Sequence, residues 1–124
     1  MVVEDEAIVR EMTTHLLERA GYQVSAVEDG ASAIAAAKLT EPFDVLVTDV
    51  IMPNMSGIDL AERMMDEYPL LGVVMLSGYT AETLDLERVT SRGALFVSKP
   101  ITSTQLLKTV LQAVAARGAA AGPT

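Results

Sequence analysis

Short apolar runs alternate along the chain with longer segments in which apolar residues recur every three or four positions. The short runs are typical of buried parallel strands, and the longer segments are typical of helices packed on a sheet. Strands are predicted at residues 1–3, 22–27, 44–48, 72–76 and 94–98. Helices are predicted at residues 7–20, 30–39, 56–67, 80–91 and 103–116. The alternation predicts an α/β fold built from five βα units on a parallel sheet.

The predicted helices carry apolar stripes that indicate which face is buried. In the first helix, the stripe consists of Val9, Met12, Leu16, Leu17 and Ala20. In the last helix, it consists of Leu106, Leu107, Val110, Leu111 and Val114. Ser56 is the predicted N-cap of the third helix. We expect one domain over residues 1–116 and a flexible tail over residues 117–124, where Gly, Ala and Pro dominate.

Composition narrows the class of protein. Half of the 124 residues are hydrophobic, so the chain can bury a core. Seventeen acidic and nine basic residues give a net charge of −8, which disfavours direct binding to nucleic acid or to anionic membranes. Cysteine is absent, which excludes disulfides and thiolate metal sites. No apolar run reaches the ~18 residues of a membrane span and no signal peptide is predicted, so we expect a cytoplasmic domain.

The acidic residues are concentrated in the first half of the chain. Residues 1–67 contain 14 Asp and Glu against 4 Lys and Arg, whereas residues 68–124 contain 3 against 5. Ligands of such sheets bind at the carboxyl ends of the strands. Polar residues follow four of the predicted strands there: Glu4 and Asp5, Asp49, Ser77, and Lys99.

Carboxylates gathered at one edge of a sheet repel one another and need a compensating cation. Mg²⁺ suits this arrangement because it prefers oxygen ligands and needs few carboxylates. Lys99 supplies a positive charge for a phosphoryl oxygen, and the Ser77 hydroxyl can hydrogen-bond another. Asp49 in these surroundings is set up to attack phosphorus and form an aspartyl phosphate. Each residue alone has an ordinary structural explanation, but their joint position at strand ends favours one phosphoryl-transfer site.

The chain strongly resembles the receiver domains of two-component response regulators from Val2 to about Ala116. The matching segments are 2–6, Asp49 with Met52, Pro53 and Gly57, then 76–78, and finally 96–100. The resemblance implies a flavodoxin-like (βα)5 three-layer sandwich with strand order 2-1-3-4-5. It also implies that helices one and five share one face of the sheet.

The resemblance also implies a role for each matching residue. Asp49 would be the phosphoacceptor, and Ser77 and Lys99 would contact the phosphoryl group. Mg²⁺ would be bound by Asp5 and Asp49 directly, by Glu4 through water, and by the carbonyl of Ile51. Ser77 and Phe96 would form the conformational switch. The Lys99–Pro100 peptide would be cis.

Three departures from the common receiver pattern modify these expectations. The acidic pair is Glu4-Asp5, where Asp-Asp is common, and Phe96 replaces a frequent Tyr. Ile51 and Tyr79 occupy positions at which receivers tune hydrolysis of the acyl phosphate. The apolar Ile51 cannot orient an attacking water, so we expect slow self-dephosphorylation. Separately, the Ser-Gly-Tyr sequence at 77–79 resembles the corresponding segment in receivers of hybrid sensor histidine kinases.

The phosphoryl donor implied by the resemblance is a histidine kinase or a histidine phosphotransfer domain. Receivers are contacted by such donors along the first helix, where Ile8, Glu11 and His15 form a predicted exposed ridge. Two alternatives remain open. A degenerate receiver could act only as a protein-interaction module. A haloacid-dehalogenase-type phosphatase also uses an aspartyl nucleophile, but it needs a second Asp at the position of Ile51.

Overall fold

The computed structural model of the chain describes residues 1–39, 43–78 and 83–120. The strands are β1 (Val2–Val3), β2 (Ala26–Val27), β3 (Val45–Asp49), β4 (Gly72–Ser77) and β5 (Leu95–Ser98). The helices are α1 (Ala7–Arg19), α2 (Gly30–Leu39), α3 (Gly57–Glu67), α4 (Thr83–Thr90) and α5 (Ser103–Ala120). Strand and helix alternate throughout, as the hydrophobic pattern predicts.

All strands of the sheet are parallel and lie in the order β2-β1-β3-β4-β5. The predicted fold and strand order are therefore confirmed. Strand β3 lies in the centre and is buried along its whole length, which agrees with its continuous apolar run. Its register with β4 places Asp49 opposite Leu76, one residue before Ser77.

The sheet separates two hydrophobic cores. One core joins α2, α3 and α4 to one face of the sheet, and includes Ala33, Leu60, Met75 and Val89. The other joins α1 and α5 to the opposite face, and includes Leu17, Val47, Val74, Leu106 and Val110. The strands thus carry apolar side chains in both directions, as strands covered by helices on both faces must.

Strand β2 is shorter than predicted. Residues 22–27 have the composition of a strand, but only Ala26 and Val27 pair with the sheet. The reason is that β2 lies at the edge, and its neighbour β1 offers only Val2 and Val3 as partners. At the other end of the chain, α5 continues to Ala120 instead of ending at residue 116. Residues 121–124 of the expected tail lie outside the described residues.

Three residues of the predicted stripes, Met12, Ala20 and Leu111, are exposed. Met12 is 42% exposed and Leu111 is 62% exposed. On α1, the buried residues are Leu17 of the predicted stripe and Thr13, which lies outside the stripe one helical turn earlier. The apolar pattern located both helices correctly, but it overestimated how wide a face each one buries.

Helices α3 and α4 are joined by ion pairs on their solvent side. Arg88 of α4 contacts both Asp59 and Glu62 of α3, and Arg92 lies 2.7 Å from Asp66. The start of α3 is capped as predicted, because the Ser56 hydroxyl accepts a hydrogen bond from the Asp59 amide at 3.1 Å. The ion pairs link the exposed sides of the two helices, and the first turn of α3 lies directly behind the end of β3.

Candidate functional site

The predicted site residues lie at the carboxyl ends of four neighbouring strands. Glu4 and Asp5 follow β1, and Asp49 is the last residue of β3. Ser77 is the last residue of β4, and Lys99 follows β5 directly. Parallel strands end on the same side, so residues far apart in sequence share one edge of the sheet.

The structure brings three carboxylates together at this edge. One oxygen from each of Glu4, Asp5 and Asp49 lies within 4.8 Å of the others. Glu4 is completely buried and Asp49 is 6% exposed, whereas Asp5 is exposed. The cluster is therefore open to solvent on the side of Asp5.

Lys99 is the cation that faces this cluster. Its Nζ lies 3.1 Å from Oδ1 of Asp49 and 3.5 Å from Oε2 of Glu4. The main chain supports its placement, because the Lys99 amide donates to the carbonyl of Ser77 at 2.8 Å. The Lys99–Pro100 peptide is cis, as the resemblance implies.

One ammonium does not neutralise three carboxylates, and the pKa values of the site reflect this. Burial, followed by the charge of Asp49, raises the pKa of Glu4 above its ordinary value. Burial also raises the pKa of Asp49, although the hydrogen bond and charge of Lys99 act in the opposite direction. Burial lowers the pKa of Lys99, but the hydrogen bonds and charges of Asp49 and Glu4 together outweigh it, so the pKa is raised. Within the part of the chain that the structure describes, the carboxylates of the site thus outnumber the cations that pair with them.

The raised pKa values predict how stability depends on pH without a cation. Below about pH 4, the ordinary carboxyl range, folded and unfolded chains both hold these protons. As pH rises through the raised pKa values of Glu4 and Asp49, the folded state must lose protons that the unfolded chain has already lost, so its stability declines. In a chelating buffer, Glu4→Gln should therefore gain stability over the wild type as pH rises from 4 to 7.

Urea unfolding at several pH values tests this expectation. Glu18→Gln is the control, because Glu18 is exposed on α1. The interpretation is wrong if Glu4→Gln and Glu18→Gln follow the wild type in parallel over the whole pH range.

The residues present fit a hard divalent cation. Oε2 of Glu4 is buried and has no hydrogen-bond donor among the residues that the structure describes. A buried carboxylate oxygen without a donor is costly unless a cation lies near it. Lys99 approaches that oxygen only at 3.5 Å. The all-oxygen donor set of the cluster is the kind that Mg²⁺ prefers.

The backbone behind Asp49 leaves no space for a side chain at position 57. A Cβ added to Gly57 would lie 1.8 Å from the carbonyl oxygen of Asp49. The Gly57 amide also donates to the carbonyl of Val50 at 2.8 Å. The first residue of α3 therefore holds the turn after β3 against the helix, which fixes where Asp49 points.

The other residues of the predicted site differ in exposure. Ser77 is 2% exposed at the end of β4, and Phe96 is 39% exposed on β5 opposite Met75. Ile51 is 57% exposed two positions after Asp49. Tyr79, the second expected tuning position, lies outside the described residues.

The predicted docking ridge is on the surface. Ile8 is 83% exposed, and Glu11 and His15 are exposed on the same helix. The structure also contains a contact that was not predicted from the sequence, in which Nη1 of Arg10 donates to the carbonyl of Glu4 at 2.8 Å. A bond to a main-chain carbonyl carries no sequence signal of its own, because any residue could supply that acceptor.

A five-stranded parallel sheet in this order, with an acidic cluster at its carboxyl edge, is the arrangement that the resemblance to receiver domains implies. The sequence model of the family described as "Response regulator receiver domain" matches residues 1–111. The chain therefore belongs to the response regulator receiver domain family of two-component signalling. Domains of this family accept phosphoryl groups from histidine kinases or phosphotransfer proteins, and they bind Mg²⁺ through an acidic pocket.

Several curated proteins are similar to this chain. The response regulator receiver protein CpdR of Brucella abortus is 37% identical over 100 residues, which cover 81% of this chain and 82% of that protein. The probable transcriptional regulatory protein TcrX of Mycobacterium tuberculosis is 38% identical over 81% of this chain. The chain spans 42% of TcrX and 52% of CseB of Streptomyces avermitilis, which are longer proteins.

Solved structures support the same fold. A response regulator receiver domain protein from Clostridium thermocellum has a TM-score of 0.88 at 23% identity, covering 96% of this chain and 95% of that chain. The receiver domain of a signal transduction histidine kinase from Syntrophus aciditrophicus has a TM-score of 0.80 at 30% identity, covering 93% and 88%. Within the described part of the chain, no helix combines the length and apolar character that a membrane crossing requires.

Proposed function

We propose that this receiver accepts a phosphoryl group on Asp49 in a Mg²⁺-dependent transfer from a phosphohistidine. The observation that supports this most is the position of Asp49, which lies 3.1 Å from Lys99 and within 4.8 Å of the carboxylates of Glu4 and Asp5. A nucleophile between a cation and a set of hard oxygen ligands has what phosphoryl transfer requires, namely positioning and charge neutralisation.

The metal would be held by Asp5, by Asp49, by Glu4 through water, and by the carbonyl of Ile51. When bound, Mg²⁺ supplies positive charge that offsets the charge on the phosphoryl oxygens. The protein supplies the nucleophile: an oxygen of Asp49 forms the new bond to phosphorus. The bond from phosphorus to the donor's imidazole nitrogen breaks, and its electron pair stays on that nitrogen.

Lys99 and Ser77 contribute on the side of the phosphoryl group. The Lys99 ammonium leaves its ion pair with Asp49 and contacts a phosphoryl oxygen, which keeps its charge compensated. The Ser77 hydroxyl moves to another phosphoryl oxygen, and the space it leaves allows Phe96 to turn inward. Ser77 and Phe96 thereby form the switch between two conformations.

The same proposal indicates the phosphoryl donor, the kind of larger protein in which the domain occurs, and its cell compartment. A histidine kinase or a histidine phosphotransfer domain is the expected donor, and a hybrid sensor histidine kinase is one setting in which such a receiver occurs. The Escherichia coli sensor protein TorS is 28% identical to this chain over 101 residues. The cytoplasm is the compartment that this function requires.

Acetyl phosphate and beryllofluoride test the function directly. With Mg²⁺ present, acetyl phosphate should add one phosphoryl group per chain, and beryllofluoride should shift the amide resonances of Asp49 and its neighbours. Neither should occur in a chelator. Absence of binding would favour a protein-interaction module, and continuous turnover of phosphate esters would favour a hydrolase.

The acyl phosphate should be long-lived because Ile51 offers no polar group to a water near Asp49. We expect the label to persist for minutes or longer, and Ile51→Asn to shorten its lifetime several-fold by providing an amide that can orient water. Loss of label from the purified, phosphorylated domain measures both. Decay of the wild type within seconds would contradict the expectation.

The exposed ridge on α1 should matter only for a protein donor. Ile8 is 83% exposed, so Ile8→Glu should leave the fold and the reaction with acetyl phosphate unchanged. Transfer from a phosphorylated histidine phosphotransfer domain should slow about tenfold or more, because a charge replaces an apolar contact. Leu39→Glu is a matched control, since Leu39 is 85% exposed at the end of α2. Equal slowing with both donors would exclude a docking role for Ile8.

A further inference from the structure

We propose that Arg10 is a positioning residue of the cation site, because it holds the loop that presents Glu4 and Asp5. The inference rests on the proposed function, in that a divalent cation binds at this loop. Arg10 lies on α1 and is half-buried, and its Nη1 donates to the carbonyl of Glu4 at 2.8 Å. Among the described residues it forms no ion pair, and its hydrogen bond goes to the main chain.

Both main-chain polar groups of Glu4 are thereby fixed. The Glu4 amide donates to the carbonyl of Val27 at 3.1 Å, which ties it to β2. Its carbonyl accepts the bond from Arg10 on the other side. These two anchors hold the main chain of Glu4 and its path into Asp5, and the Glu6 amide, 3.4 Å from Oε1, helps to orient the Glu4 side chain.

The local structure explains why a side chain is needed for this purpose. Strand β1 ends at Val3 and α1 begins at Ala7, so residues 4–6 lie between the two. Glu6 is the N-cap of α1, but its side chain makes no capping hydrogen bond. The Glu6 amide instead donates to Oε1 of Glu4 at 3.4 Å, which is a long hydrogen bond. Arg10 reaches back from the first turns of α1 and adds a shorter bond to the same loop.

The route of the Arg10 side chain fits this role. Arg10 lines a small surface cavity together with Ala26, Val27, Glu28 and Ser32. It therefore spans from α1 to the end of β2, which is the strand that anchors the Glu4 amide. The same cavity leaves space for a shorter cationic side chain at this position.

Positioning and simple charge predict opposite effects on the cation. A guanidinium beside a cation site repels the metal, so on charge alone its removal should tighten Mg²⁺ binding. If Arg10 instead maintains the geometry of the carboxylates, its removal should weaken binding despite the loss of a positive charge. Residues that orient metal ligands typically change affinity by about 10–100-fold when they are replaced.

Calorimetric titration with Mg²⁺, paired with thermal unfolding in a chelator, tests the proposal. Arg10→Gln should raise the Kd for Mg²⁺ about tenfold or more, while the Tm in chelator changes by only a few degrees. Arg10→Lys should recover part of the affinity, since an ammonium can donate to the same carbonyl. Arg19→Gln is the matched control, because Arg19 is exposed in the last turn of the same helix. The Kd of Arg19→Gln for Mg²⁺ should equal that of the wild type.

Four outcomes would overturn the role of Arg10. Two concern Arg10→Gln: it binds Mg²⁺ as tightly as the wild type or more tightly, or it does not fold in chelator. The third is that Arg10→Lys recovers none of the lost Mg²⁺ affinity. The fourth is that Arg19→Gln weakens Mg²⁺ binding as much as Arg10→Gln does. The proposed function fails in a different way, namely when the wild type itself does not bind Mg²⁺. The two failures are therefore distinguishable in one set of titrations.

Discussion

Asp49→Asn should abolish phosphorylation of the domain by acetyl phosphate, with no detectable phosphoprotein under conditions that fully modify the wild type. The amide has nearly the same shape as the carboxylate, but it is not a nucleophile toward phosphorus. The substitution also removes a buried charge whose pKa is raised by burial. In a chelating buffer at neutral pH, the variant should therefore be at least as stable as the wild type.

Two measurements on the same preparation separate chemistry from folding. A phosphate-affinity gel or intact-mass measurement reports the modification, and urea unfolding reports the fold. Asp85→Asn serves as the control, because Asp85 is exposed in the first turn of α4. It should be phosphorylated like the wild type. Full modification of Asp49→Asn would show that another carboxylate accepts the phosphoryl group.

Gly57→Ala should destabilise the domain by about 3 kcal/mol and should weaken both Mg²⁺ binding and phosphorylation. On helix propensity alone, alanine is preferred to glycine by about 1 kcal/mol, which would stabilise α3. Steric overlap decides whether the substitution stabilises or destabilises the domain, because the new Cβ would lie 1.8 Å from the carbonyl oxygen of Asp49. Either α3 or the end of β3 must move, and Asp49 moves with it.

Gly78→Ala provides the comparison for stability. A Cβ at Gly78 would lie 3.8 Å from Cβ of Lys99, which is an ordinary contact. Its free energy of unfolding should change by less than about 1 kcal/mol. Equal stability of both variants in urea unfolding would mean that the turn after β3 adapts more easily than its close packing indicates.

The central strands were well predicted because burial on both faces makes their apolar runs continuous. Predicted strand 44–48 is β3 (Val45–Asp49), and predicted strand 72–76 is β4 (Gly72–Ser77). The edge strand was predicted less well. The length of β2 depends on how many residues of β1 can pair with it. The composition of residues 22–27 does not contain that information.

The site shows the same division between local and non-local information. Glu4, Asp49 and Lys99 could be predicted to meet because each follows a strand, and parallel strands end at one edge. The degree of burial of Glu4 and the direction of its pKa depend on neighbours from several elements, and no single segment encodes them. The contact from Arg10 to a carbonyl is of this non-local kind as well.

The edge at which four strands contribute to the site has a consequence for cooperativity. A ligand held by residues from β1, β3, β4 and β5 binds most tightly when all four strands are paired, since separating any one of them removes a contact. Binding therefore stabilises the assembled sheet relative to every partly opened form. Amide hydrogen exchange should slow along the whole of β3, including Val45 at the far end from the ligand. A bound ligand would thus stabilise the pairing of the whole sheet. The amide exchange rates of the central strand would then measure whether the site is occupied.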